Sequence, residues 1–337
     1  MNEIKNPFDL QPVTLQFQFY AFPMSIIQAN AKTDITPWLC KKFFNCYFYE
    51  RDDFYDFRIN LGDYWTDIEG VVIKEERIYK QTELENGKAE EVLKDCVVEI
   101  KSGKYPYGRW NVGCVSQLNE GYTEYRRHDF ILIGVDEEKE EFISAAIDSR
   151  HGKMRVFNVT YDEFRAAIST IRNHEEIRFN YLKFNENFDF SHFEFDNIKK
   201  QFEEYLAAVY SDQRKDIEFN EIYSYGINGP KRLKLHFLEA IRQNKGIDIR
   251  FSRGLADLKA IMLTRIKYMA ENNYISDKYV ENAQCVAECT RVIHLLCLKY
   301  NIDRKASVAE RLESQFNKLI LEEITYLPKV VEEMHAF

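Results

Sequence analysis

Residues 128–148 read HDFILIGVDEEKEEFISAAID, and the fold of the front half turns on this stretch. Apolar runs from Phe130 to Val135 and from Phe142 to Ile147 flank the polar segment DEEKE at 136–140. Two such runs joined by a polar turn predict an antiparallel hairpin. Paired this way, His128 and Asp148 come to the same end of two neighbouring strands. A carboxylate there can hold an imidazole in one tautomer and stabilise its protonated form, the support that a general base needs. The plainer reading is a histidine at a strand mouth beside whichever acid lies nearest.

Working outward, the first 165 residues have a mixed pattern. Residues 21–31 read as a short helix with Pro23 near its first turn, where a missing N–H is harmless. A second helical stretch is expected from Thr36 to about Tyr49. Strand-like pieces follow at Gly70–Ile73, Val97–Ile100, Asp129–Val135, Glu141–Ile147 and Met154–Val159, with a helix starting at Tyr161. The aromatic and polar residues of 178–197 alternate, as in a strand or a linker. From Ile198 the texture changes to three-and-four apolar spacing over Lys199–Tyr210, Pro230–Gln243, Leu255–Asn272, Asp277–Tyr300 and Lys305–Leu321. The class is therefore α+β, with a mixed domain over 1–175 and an all-α region over 176–337.

Lys and Arg total 46 against 55 Asp and Glu, a net charge of −9. That balance argues against a nucleic-acid partner or a polybasic membrane surface. The seven cysteines form no CxxC pair and close no metal-ligand spacing with histidine, so neither a zinc site nor a disulfide framework is expected. No GxGxxG, GxxxxGK[ST], HExxH or GxSxG signature occurs, and no cofactor is implied. Without a leader-like N-terminus or a long apolar run, a reducing cytoplasm is the expected location.

The histidine strand, followed by an acid on the next strand, resembles the papain-like cysteine enzymes of the C39-like kind. It is most similar to the butirosin-biosynthesis acyltransferase type, the BtrH-like proteins of natural-product clusters. In that family the nucleophile lies in a segment of the form aromatic-Cys-aromatic-Pro-x-Ser-Ile at the start of an N-terminal helix. Here the segment is Phe19-Tyr20-Ala21-Phe22-Pro23-Met24-Ser25-Ile26. Ala21 stands at the cysteine position, where a helix N-terminus would lower a thiol pKa. Two histories fit an alanine there: a natural pseudoenzyme, or replacement of the nucleophile.

The resemblance implies a papain-like catalytic domain carrying out thiol-dependent acyl transfer, or thioester or amide cleavage, in peptide or other natural-product biosynthesis. The acyl group would come from an acyl- or peptidyl-carrier protein, or from a small-molecule or peptide substrate. In it, His128 is the base, Asp148 orients His128, and Gln18 with the backbone N–H at position 21 holds the oxyanion. Tyr20 and Phe22 beside the nucleophile position, with Tyr107 and Trp110 on a Pro- and Gly-containing loop, are the expected substrate-binding aromatics. The alternative is a catalytically silent binding protein that holds a peptide or carrier in the same cleft. Ser25, Cys40, Cys46 and Cys114 are the remaining nucleophile candidates, each more simply a buried or structural residue. A carrier could dock on the basic cluster Lys231, Arg232, Lys234, Arg250 and Arg253, which also reads as solvated helix ends. The other six histidines, from His151 to His335, have no recurrent spacing and receive no role.

Overall fold

A computed structural model describes residues 3–51, 54–59, 68, 70–119, 125–148, 152–172, 176–209 and 222–336. Its strands are β1 (Glu3–Lys5), β2 (Tyr47–Arg51), β3 (Phe54–Arg58), β4 (Val72–Lys80), β5 (Tyr105–Asn111), β6 (Arg127–Asp136), β7 (Glu141–Asp148), β8 (Lys153–Thr160), β9 (Glu176–Phe184) and β10 (Ile222–Tyr225). The main helices are α1 (Gln18–Asn30), α2 (Thr36–Leu39), α3 (Ala89–Lys101), α4 (Tyr161–Ser169), α5 (Phe195–Ala207), α6 (Asn228–Arg242), α7 (Ile249–Glu271), α8 (Lys278–Asp303) and α9 (Val308–Ala336). The chain divides into two compact units. One comprises Met1–Lys32 with Ile68–Phe188; the other comprises Thr33–Asp67 with Asp189–Phe337. The expected boundary near 175 is thus displaced: β9 belongs with the first unit, and residues 33–67 join the second.

The first unit is built on an antiparallel sheet of order β4-β9-β5-β6-β7-β8, with β1 added to β6. The β6–β7 hairpin forms as the apolar runs require, pairing Ile131 with Ala145 and Asp136 with Glu141. Between Leu132 and Gly134 the register slips by one residue. A bulge there bends the strand and brings β1 against Gly134, where a Cβ would lie 2.5 Å from the Ile4 carbonyl oxygen. Only glycine admits that approach. One sheet face packs on α3 and α4 through Trp110, Phe130, Phe142, Phe157, Phe164 and Phe179. The Thr160 side chain accepts from the Glu163 N–H while Glu163 returns a bond to the Thr160 N–H, a capping box that starts α4 at Tyr161.

Several local expectations are corrected. Val97–Ile100 is helical, inside α3, whose buried Val92, Leu93, Cys96, Val97 and Ile100 repeat at helical spacing; four residues were too short a window to show it. The helix expected over 36–49 stops at Leu39, and β2 begins at Tyr47. Helix α1 starts at Gln18, three residues early, so Pro23 falls in its second turn and cannot donate to the Phe19 carbonyl. The segment around Tyr107 is strand β5, not a loop. Its pairing with β6 begins at Tyr107, leaving Pro106 matched only with Tyr181 of β9.

The second unit is predominantly helical but not all-α, because β10, β2 and β3 form a three-stranded antiparallel sheet. At its centre Lys259 Nζ of α7 lies 2.6 Å from Glu323 Oε1 of α9, and both side chains are fully buried. Tyr205 of α5 donates to Glu323 Oε2 at 3.1 Å and accepts from Lys259 at 2.5 Å. Burial with Glu323 alongside holds the Tyr205 hydroxyl well above its ordinary pKa. The buried Arg265 guanidinium donates to the carbonyls of Cys40 and Lys42 and stacks 4.0 Å from the centre of the Phe44 ring. Buried charges survive only when paired in this way.

Two outcomes check this account. Gly134→Ala should lower stability by about 1–3 kcal/mol in denaturant unfolding, because backbone must move to admit the methyl group. Lys259→Met alone should cost about 3–5 kcal/mol by stranding Glu323, whereas Lys259→Met with Glu323→Leu should recover most of that loss.

Candidate functional site

Helix α1 places Gln18 at its first position, and Phe17 precedes it in extended conformation without capping the helix by its side chain. The helix is buried from Tyr20 through Ile27. Hydrogen bonds pin it along its length. Asp9 N–H donates to the Ser25 carbonyl (3.1 Å), Gln28 Oε1 accepts from the Val13 N–H (2.7 Å), and Asn30 Nδ2 donates to the Tyr105 hydroxyl (3.2 Å). Phe22 meets the Tyr107 ring edge-on at 5.9 Å, seating the helix on β5.

This packing brings Gln18 to His128. Gln18 Nε2 lies 3.2 Å from His128 Nε2, and His128 Nδ1 lies 2.9 Å from the Asp129 carbonyl oxygen. A carbonyl only accepts, so Nδ1 carries the proton, and Nε2 is left to accept from the Gln18 amide. His128 is neutral in this arrangement. Its pKa is lowered, first by burial, with the Asp129 carbonyl and carboxylate acting against that and the Arg126 and Arg109 charges adding to it. The Asp129 carboxyl is raised by burial, an effect opposed chiefly by Arg109. Arg109 faces Asp129, and Trp110 faces His128, across the β5–β6 pair.

Asn111 fixes the start of β6. Its Oδ1 accepts from the N–H groups of Gly113 and Arg126, each at 3.1 Å, and its Nδ2 donates to Thr170 Oγ1 at 2.8 Å. Neither Asn111 nor the Asp129 carbonyl was legible as part of the site. The first acts on backbone one strand away, and the second is itself backbone.

Of the residues singled out from sequence, Gln18 and His128 are joined directly, and Ala21 lies one helical turn beyond Gln18. Asp148 closes β7, where its ladder partner is Lys153 of β8. Continuing the Ile131–Ala145 register by three residues sets position 148 opposite 128, but paired residues end at Ile131. Gln18 and Asp129 take both ring nitrogens of His128, so the orienting role expected of Asp148 falls to the Asp129 carbonyl. The backbone N–H of Ala21 is also committed, donating to the Phe17 carbonyl at 2.9 Å. It is therefore not an oxyanion donor.

The aromatic residues expected to line a cleft are core residues. Tyr20, Phe22 and Tyr107 are buried, and Trp110 is fully enclosed among Phe130, Phe164 and Phe179. Ala21 is 0% exposed. Ser25 is also fully buried, and its hydroxyl has no hydrogen-bond partner among the described residues. Burial pushes the Cys40 and Cys46 thiols up to about 12, which leaves them protonated. Cys114 is half-buried, against Asn111 Nδ2 and Thr170 Oγ1 at 3.3 Å each.

The basic cluster of the second unit is largely partnered. Arg232 donates to Glu50 at 3.0 Å, Arg250 to Asp248 at 2.9 Å and Arg253 to Asp257 at 2.7 Å, while Lys231 and Lys234 bond Asn228 and Asn317. His294 Nδ1 lies 3.0 Å from Ser252 Oγ, a pair that spacing did not reveal, and His236 packs 4.3 Å from the Tyr55 ring centre. His151 and His174, and the side chain of His335, lie outside the described residues. Among the described residues no group of three or more His, Cys, Asp or Glu is arranged to hold a metal ion, and no helix is long and apolar enough to cross a membrane.

No protein-family model matches the chain, and no curated protein matches it.

The neutral Gln18–His128 pair makes a specific prediction. His128 should titrate below the ordinary value of about 6.5 by NMR. Because only the unfolded chain takes up that proton first, His128 should erode stability as pH falls from about 6.5 toward its own lower pKa. Gln18→Ala removes the donor that favours the neutral ring, and should move the titration back toward 6.5.

Proposed function

We propose that this chain is a papain-like acyl-handling scaffold that has no nucleophile and works as a binding protein for a peptide or a peptide-linked acyl group. One observation carries the reading: at the N-terminus of α1, the Gln18 amide is held on the unprotonated nitrogen of His128 while position 21 is alanine. A glutamine and a histidine converging beside the start of a buried helix match the general layout of a thiol-dependent acyl-transfer site. Without a thiol there is nothing for His128 to deprotonate, so its lone pair rests on Gln18. A ligand carbonyl that displaced this contact would receive the Gln18 N–H, and a ligand N–H or O–H would be accepted by His128 Nε2. Both groups recognise an amide. Because the arginines near Glu50, Asp248 and Asp257 are paired within their own unit, a peptide or small acyl ligand fits better than an acidic carrier protein.

The acyl-transfer chemistry of such a scaffold would need a thiolate at position 21 to attack a thioester or amide carbonyl, with His128 moving the proton. Ala21→Cys tests the ancestry directly, with an aminoacyl N-acetylcysteamine thioester as probe. The unmodified chain should bind this probe saturably and leave it intact. The variant should gain one acyl group by intact mass, and Ala21→Cys with His128→Ala should gain it at least ~100-fold more slowly. Absence of the adduct in Ala21→Cys, with iodoacetamide labelling no faster at the introduced thiol than at Cys114, would contradict the scaffold assignment. Absence of saturable binding to the unmodified chain would contradict the binding role.

A further inference from the structure

Across the β5–β6 pair, one ladder step from His128, Arg109 lies opposite Asp129. Trp110, the next residue of β5, is turned into the core against Phe130, Phe164 and Phe179. Side chains alternate along a strand, so Tyr107 and Arg109 belong to the other face. That face carries α1, because the Phe22 ring meets Tyr107 on it. Gln18 precedes Phe22 by one helical turn, about 6 Å, and Arg109 follows Tyr107 by about 6.6 Å of strand. The Gln18–His128 bond fixes the direction of both steps, since the ladder partner of His128 is Trp110. Gln18 and Arg109 therefore come to the same end of the sheet. The site opens at this end: Tyr20 to Ile27 and Tyr107 are buried, whereas Gln18, His128 and Asp129 are half-buried and Arg109 is exposed.

The charge here is unlike that of the whole chain. On a molecule of net charge −9, Arg109, Arg126 and Arg127 stand around one carboxylate, Asp129. Arg127 Nε donates to the Arg109 carbonyl at 3.2 Å, which keeps the Arg127 guanidinium beside β5. Among the described residues the Arg109 guanidinium forms no ion pair or hydrogen bond, although Asp129 lies across the ladder from it. By contrast Arg232, Arg250 and Arg253 each hold a carboxylate within their own unit. An exposed guanidinium with its donor fork open suits a carboxylate, which matches it in charge and in bidentate geometry. An extended peptide advances by about 3.3 Å per residue, the same step as a strand. A ligand whose last amide meets Gln18 and His128 thus carries its terminal carboxylate to Arg109.

We propose that the ligand of this site is a peptide held by its C-terminal end, with the terminal carboxylate on Arg109 and the preceding amide on Gln18 and His128. With Gln18 and His128 as the amide-binding pair, the reading on which this assignment rests, Arg109 decides which end of the ligand enters. Arg126 and Arg127 add to the field that draws the carboxylate in, an attraction that salt weakens. An internal peptide segment has no such charge and leaves Arg109 in water.

The test titrates the full chain with N-acetylglycylglycine and, separately, with its neutral C-terminal amide, following the ring-nitrogen signals of His128 by NMR. Both probes should move these signals, and the carboxylate form should bind at least ~10-fold more tightly at low salt. Arg109→Gln should bring the affinity for the carboxylate form down to that for the amide form. Equal affinities for the two probes in the unmodified chain, or an Arg109→Gln loss of the same size for both, would overturn the carboxylate site and leave the amide-binding pair standing. Saturable binding of the carboxylate form that leaves the His128 signals unmoved would overturn its placement beside His128. If neither probe binds, the binding role and the carboxylate site both fail.

Discussion

The burial of α1 along eight consecutive residues, Tyr20 to Ile27, is the constraint on which the candidate site depends. A helix covered on all sides has little freedom to rotate or slide, because each buried side chain occupies a fitted volume. Its first residue is then fixed relative to β6, although it belongs to a different stretch of chain 110 residues away. The Phe22–Tyr107 contact and the Asn30–Tyr105 bond tie both ends of the helix to the same strand, β5. Strand β5 is in turn hydrogen-bonded to β6, so Gln18 and His128 are set by one rigid framework rather than by mobile loops.

That framework explains why the electrostatics of the site favour a neutral ring. Burial penalises imidazolium, and Arg109 and Arg126 add to the penalty. The hydrogen bonds agree with the burial, since a carbonyl on Nδ1 and an amide donor on Nε2 are satisfied only by the neutral Nδ1–H tautomer. A catalytic histidine in a thiol enzyme must instead become protonated when the thiol ionises. Here no group at position 21 makes that demand, and the Ala21 N–H is consumed inside the helix.

Much of the fold was legible where the signal is local. The hairpin of β6 and β7, strand β8, the capped start of α4 and the five long helices after residue 195 all follow from periodicity and turn chemistry. Strand β5 was not legible, because Pro106 and Gly108 read as loop punctuation; only its partial pairing with β6 makes Pro106 tolerable. The interleaving of 33–67 with the later helices depends on pairing between Tyr47–Glu50 and Ile222–Tyr225, which no local pattern announces. Aromatic residues beside a supposed nucleophile look alike from sequence whether they line a cleft or fill a core. Tyr20, Phe22, Tyr107 and Trp110 fill the core. Gln18 and His128 were each named for a separate role, oxyanion donor and base; their direct contact was not read from sequence, nor was the carbonyl that sets the tautomer, because every residue has one.

The central claim is the protonation and hydrogen bonding of one imidazole. Long-range proton–nitrogen correlation spectra of the histidine rings at pH 7, assigned with a His128→Gln variant, read it directly. The account predicts a neutral His128 ring protonated on Nδ1, with Nε2 as an acceptor whose signal shifts in Gln18→Ala. A ring protonated on Nε2, or an imidazolium at pH 7, would contradict it.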